Sequence, residues 1–264
     1  GPRRGGLSVS RGAAALLLAA VTGLLLSACS PGPTARTAAV ALPGAGDGPT
    51  VVDVAVGASE TVGAGTQDRL RSAWPQVLYL TALQRGAVFF NFGIPGATVA
   101  QALTAELPPA LAVHPDLVTV WLNVNDLLAG VPPAQYESRL TQLVHALRRG
   151  GHSRVLVANT PWLDQLPAYL ACLPDPPMTA APCGLTGMSA PPPAAVNALV
   201  DAYNAAIARV VVREGAELVD LHAFGEVPVL HPEYVSDDGF HPSESGHVAI
   251  AAAFAAVLRR SRGT

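Results

Sequence analysis

The sequence predicts an α/β fold of the three-layer kind, a five-stranded parallel sheet with helices on both faces. Three observations lead there. Short β-branched runs alternate with helical stretches from Thr50 onward. The runs are apolar along their length, the signature of strands buried on both sides. The 264 residues, half of them hydrophobic, are ample for one full core.

The elements follow in order. Val51-Val52-Asp53-Val54-Ala55-Val56 is the first strand and ends at Gly57. Residues 67–84 form a helix in which Leu70, Trp74, Val77, Leu78 and Leu80 share a face, with Pro75 bending it or ending its first turn. Ala87-Val88-Phe89-Phe90 is the second strand, residues 99–111 the second helix, and residues 117–122 the third strand. Tyr136, Leu140, Leu143, Val144 and Leu147 recur at helical spacing within 133–149. Residues 154–158 make a fourth strand closed by Asn159-Thr160-Pro161. Periodicity then collapses over 162–193 into a Pro-rich insertion, before a helix at 194–213, a fifth strand at 217–220 and a closing helix at 243–259.

Composition narrows the chemistry. A net charge of −3 excludes a broadly basic nucleic-acid binder. All 16 basic residues are arginine, so a P-loop lysine, a Schiff-base lysine and a Ser–Lys dyad are excluded together. Charged residues amount to 13%, well under the roughly 25% of an average soluble protein.

The N-terminal region reads as an address. Arg3, Arg4 and Arg11 precede the uncharged stretch 12–28, which is too short for a spanning helix of about 20 apolar residues and fits an export signal. Its end, Leu26-Ser27-Ala28-Cys29, resembles the lipobox of bacterial lipoproteins. That resemblance implies cleavage before Cys29 and a diacylglyceryl anchor on its sulfur, hence an exported protein, lipid-anchored or secreted. Residues 29–49 are Pro, Gly, Ala and Thr without periodicity, a flexible tether, and residues 50–264 are the folded domain. Outside the cytoplasm, Cys172 and Cys183, eleven apart in a Pro-rich loop, are expected to form a disulfide. Unpaired thiols or a metal pair are the alternatives, and no Cys-x-x-Cys motif accompanies them.

In parallel α/β sheets reactive groups gather at the carboxyl ends of the strands. Ser59 lies two residues past Gly57, on a strand-to-helix turn where a serine either caps a helix or presents a nucleophile. Asp238-Gly239-Phe240-His241 has the spacing for a carboxylate to hold an imidazole in one tautomer and stabilise its cation. Asn91 to Thr98, with Gly93 and Gly96, follows the second strand, and Asn123-Val124-Asn125-Asp126 follows the third. A glycine N–H and an asparagine amide at neighbouring strand ends are donors suited to an oxyanion. His222, His231, Asp237, Asp238, His241 and His247 lack metal-ligand spacing, so neither a metal nor a cofactor is expected.

These four blocks, in this order, resemble the SGNH hydrolase superfamily of GDSL-type esterases and lipases, over about residues 50–260. The resemblance implies a flavodoxin-like α/β/α fold with Ser59 as nucleophile, His241 as base and Asp238 behind it. It further implies an oxyanion hole from the N–H groups of Ser59 and Gly96 and the amide of Asn125. Two departures stand out: Ala58 replaces the aspartate of Gly-Asp-Ser, and Asn123 replaces the glycine of Gly-x-Asn-Asp, where Asn would suit a positive φ. The expected partner is a small-molecule ester, either short-chain or lipid acyl, cleaved through an acyl-enzyme. An acyltransferase or a non-catalytic ligand-binding lipoprotein are the alternatives on the same scaffold.

Overall fold

The computed structural model describes residues 51–177, 183, 190–224 and 227–260. The signal segment, Cys29 and the tether lie outside the described residues, as do Met178 and Met188 of the insertion. Five strands, β1 (Val52–Gly57), β2 (Val88–Asn91), β3 (Leu117–Trp121), β4 (Arg154–Ala158) and β5 (Glu217–Val219), form one parallel sheet in the order β2-β1-β3-β4-β5. The chain runs outward from β1 to β2, then returns to place β3 on the other side of β1. The resulting crevice lies beyond the carboxyl ends of β1 and β3.

The strands' two-residue period divides the core. Val54, Val56, Val118, Val120, Val155 and Val157 point to one face. There they pack against α3 (Val99–Ala105), α4 (Leu107–Ala112), α6 (Pro133–Arg148) and α8 (Pro193–Glu214). Leu117, Trp121, Leu156, Ala158 and Val219 point to the other, beneath α2 (Trp74–Ala82) and α10 (Glu244–Arg260), where Trp74 stacks on Phe254 at 4.2 Å. Tyr136 and Tyr203 bring their rings together between α6 and α8, and their hydroxyls donate to the Leu122 and Val131 carbonyls. Both thereby bury a ring without stranding a polar atom.

Two expected helices are broken by proline, which lacks the N–H that the preceding turn needs. Residues 67–84 divide into α1 (Arg69–Ser72) and α2 at Ala73, whose ψ of 138° is extended, just before Pro75. Leu70 and Leu80, expected on the apolar face with Trp74 and Leu78, are 85% and 62% exposed, because the break turns one away and Leu80 falls on the outer side of α2. Residues 99–111 divide at Glu106, ahead of Pro108 and Pro109. Three short helices were not foreseen: α5 (Val124–Leu128), α7 (Pro167–Leu170) inside the insertion, and α9 (Val227–Leu230).

Candidate active site

Gly57 ends β1 against Thr61: a Cβ there would lie 2.0 Å from the Thr61 hydroxyl oxygen. The chain therefore turns tightly, with Thr61 N–H donating to the Ala58 carbonyl and Ala64 N–H to that of Ser59. Ala58 is buried in the core beneath α3, a place suited to a methyl group. Ser59 is carried to the mouth of the crevice. Among the described residues its N–H has no hydrogen-bond partner, nor has that of Gly96.

The chain's other end folds onto this turn. Asp238 Oδ1 accepts from the Phe240 and His241 N–H groups and the Ser236 hydroxyl, closing a compact loop with Gly239 at φ +72°. Its Oδ2 lies 2.6 Å from His241 Nδ1, while His241 Nε2 lies 3.0 Å from Ser59 Oγ. Nδ1 thus carries the proton toward the carboxylate, and Nε2 is left to accept from the serine. Burial alone would raise the Asp238 carboxyl, but the hydrogen bonds from His241, Phe240 and Ser236 outweigh it and hold it at about 2.

Asn125, at the first turn of α5, donates one amide hydrogen to the Ala97 carbonyl at 3.1 Å, leaving its second hydrogen for another acceptor. Its neighbour Asp126 is fully buried and accepts from Val99 N–H, so two successive side chains clamp the loop holding Gly96. Gly96 sits at φ +79° with open space where a side chain would be, whereas a Cβ on Gly93 would press on Thr61 at 2.9 Å. Asn123 has φ −158° and ψ −50°, so the positive φ that an asparagine would suit does not occur there. Its amide reaches the Ala158 carbonyl and ties β3 to β4.

Ser59, Asp238 and His241 are thus brought together, with Gly96 and Asn125 on the adjoining loops. The crevice opens into an apolar cleft. The insertion borders it: Leu163 and Leu166 line the cleft, and Ala168 N–H donates to the Gly239 carbonyl beside Asp238. Cys172 and Cys183 are joined by a disulfide behind this segment. The remaining histidines serve elsewhere. His222 stacks on Trp162, His231 meets Glu233, and His247 is buried in α10.

The supporting roles of four residues escaped the sequence reading. Glu106 is buried and accepts from Gly57 N–H at 2.8 Å, and burial pushes its carboxyl up to about 8. Asp126 is raised likewise by burial. His247 accepts from Trp74 N–H at Nδ1 and donates to the Ala64 carbonyl from Nε2, pinning the turn after β1 onto α10. Glu60, next to Ser59, places its Oε2 3.4 Å from the serine hydroxyl. An acid inside a turn that a strand feeds into the core was the available signal for Glu60. Asp126 belongs to the Asn123–Asp126 block, and no sequence pattern announces the roles of Glu106 and His247.

Comparison with known proteins places this arrangement. Residues 55–249 match the GDSL-like lipase/acylhydrolase family. An arylesterase of Vibrio mimicus is 33% identical over 101 residues, covering 37% of this chain and 50% of that relative, so the chain matches half the length of the curated relative. Among solved structures, a lipase/acylhydrolase from Enterococcus faecalis has a TM-score of 0.58 at 18% identity, covering 80% of this chain and 97% of that one. A psychrotrophic esterase from Pseudoalteromonas sp. has a TM-score of 0.57 at 16% identity, covering 81% and 99%. A family 3 carbohydrate esterase from Clostridium thermocellum gives 0.56 at 19% identity, covering 80% and 96%. At these identities the solved structures speak for the fold.

Proposed function

We propose that this chain, which belongs to the GDSL-like lipase/acylhydrolase family, hydrolyses carboxylic esters through a covalent acyl-enzyme on Ser59. The observation that carries this reading is the unbroken path from Asp238 through His241 to Ser59 Oγ, with spacings of 2.6 and 3.0 Å, at the mouth of an apolar cleft. His241 Nε2 takes the Ser59 proton as Oγ attacks the ester carbonyl, and the imidazolium is stabilised by the ionised Asp238. The unpartnered N–H groups of Ser59 and Gly96 and the free amide hydrogen of Asn125 receive the developing oxyanion. His241 then gives its proton to the leaving alkoxide. A water, activated by the same imidazole, attacks the acyl-serine and restores the enzyme.

The substrate in this reading presents an apolar group to the cleft, short-chain or longer. The disulfide between Cys172 and Cys183 supports work in an oxidising compartment. Export through residues 1–28 and a lipid anchor at Cys29 belong to the same proposal. A short-chain aryl ester assayed beside Ser59→Ala, with fluorophosphonate labelling of both, tests it. The parent turns over the ester and is labelled, and the variant does neither. Equal rates, or labelling that survives the substitution, would remove the mechanism.

A further inference from the structure

Glu60 presents a problem that the hydrolytic mechanism leaves unsolved. Its carboxyl lines both the apolar cleft and the small polar recess formed with Ala58, Asn123 and Asn125. Its near polar neighbours are its own backbone N–H and, at 3.4 Å, the Ser59 hydroxyl, whose proton is directed at His241, and among the described residues no arginine or histidine forms an ion pair with it. Burial pushes this carboxyl above the usual range, against the pull of its own N–H, His241 and Ser59. An unpaired carboxylate in an apolar wall is costly. At 3.4 Å from the Ser59 hydroxyl, its charge also opposes the charge developing in the reaction.

A cation brought by the substrate would relieve both penalties. The rest of the wall suits one. Trp121, Trp162, Phe224, Tyr234 and Phe240 line the same cleft, in a chain with only 5% aromatic residues. Aromatic faces attract ammonium groups, most strongly where water is excluded. The other ionisable side chain nearest to Glu60 is His241, with Asp238 behind it, and α10 contributes only Gly246, Ala249 and Ile250 to this wall. Among the described residues no fixed positive side chain lines the cleft to compete with a bound cation.

We propose that the cleft selects esters bearing an ammonium cation, with the Glu60 carboxylate and the aromatic side chains that line the same cleft as its seat. This rests on the ester-hydrolase reading and names its substrate class. Glu60 acts as a specificity residue: it holds the cation while the ester carbonyl lies against Ser59. The bound cation in turn favours the ionised carboxylate and cancels its opposition to the oxyanion.

The test uses a charged ligand and its neutral carbon isostere with the full chain. Acetylcholine and neohexyl acetate share acyl group and shape, and differ in the quaternary nitrogen. The parent is expected to favour acetylcholine by about tenfold or more in kcat/KM. Glu60→Gln is expected to bring that ratio close to one, whatever happens to the absolute rates. Calorimetry with choline and neohexyl alcohol reads the same preference without turnover, and choline should bind more tightly as pH rises and Glu60 ionises. Equal affinity for the two alcohols, or a preference that survives in Glu60→Gln, overturns the inference. Turnover of neohexyl acetate without cation preference sinks this inference alone. Choline selectivity without hydrolysis of any ester sinks the hydrolytic reading and leaves the cation seat standing.

Discussion

Two histidines six positions apart both reach the turn after β1, and they end in opposite chemical situations. His241 touches the Ser59 hydroxyl with Nε2 and an ionised carboxylate with Nδ1, at the rim of the crevice. His247 touches the Ala64 carbonyl and the Trp74 N–H, and is fully buried. The first has a counter-ion for the cation it forms. The second has an N–H donor against Nδ1, which only a neutral ring can accommodate, and burial moves its pKa below the ordinary 6.5. Proton transfer is thus assigned by the partner of the second nitrogen, and the same residue type serves as base or as a structural tie.

The comparison can be broken from either side. Ser59→Ala removes the donor of the rim contact, and kcat is expected to fall about 10⁴-fold or more while thermal stability holds; steady-state kinetics and a melting curve read the two. Asn125→Ala tests the oxyanion side, with a loss on the order of 10²–10³ in kcat and a smaller change in KM. His247→Leu strands the Trp74 N–H and the Ala64 carbonyl, so denaturant titration should show a loss of about 2–4 kcal/mol, with activity of the folded fraction retained in the main. The sign of its pH dependence follows from the lowered pKa. Above 6.5 the neutral ring costs nothing, and as pH falls below that value the unfolded chain takes up the proton more readily. Stability contributed by His247 should therefore be lost on acidification from 6.5 downward, and a flat difference between parent and His247→Leu across that window would sink the assignment. The smallest effect is expected from Cys172→Ser, about 3 kcal/mol or less for so short a loop. A rise in KM should accompany it, since the insertion that it staples packs on Gly239 and lines the cleft.

Much of this molecule is legible along the chain. Apolar runs mark all five strands within a residue or two; β1, β3 and β4, buried along nearly their whole length, have no polar positions to blur them, whereas the edge strand β2 is half-exposed. The amphipathic helix carrying Tyr136, Leu140, Leu143, Val144 and Leu147 is read correctly, and all five are buried. The breaks at Ala73 and Glu106 are less legible, since apolar periodicity continues across them and only a missing proline N–H interrupts the ladder. Asn123 misleads in another way. Standing where the family has glycine, it would suit a positive φ, but its φ is −158° and its amide instead joins two strands.

The local sequence by itself determined which segments become strands, where the tight turns fall, and that Asp238 and His241 share one loop, because a separation of three residues lets a carboxylate reach an imidazole. Tertiary structure alone decided that Ser59 faces His241 across 182 positions, that Glu106 and Asp126 brace Gly57 and Val99 from within the core, and that Glu60 stands between the cleft and the recess with no ion-pair partner among the described residues. The physical reason is that local geometry follows from steric and hydrogen-bonding preferences within a few residues. What a side chain meets and how far it is removed from water depend on segments that only sheet order and helix packing bring together.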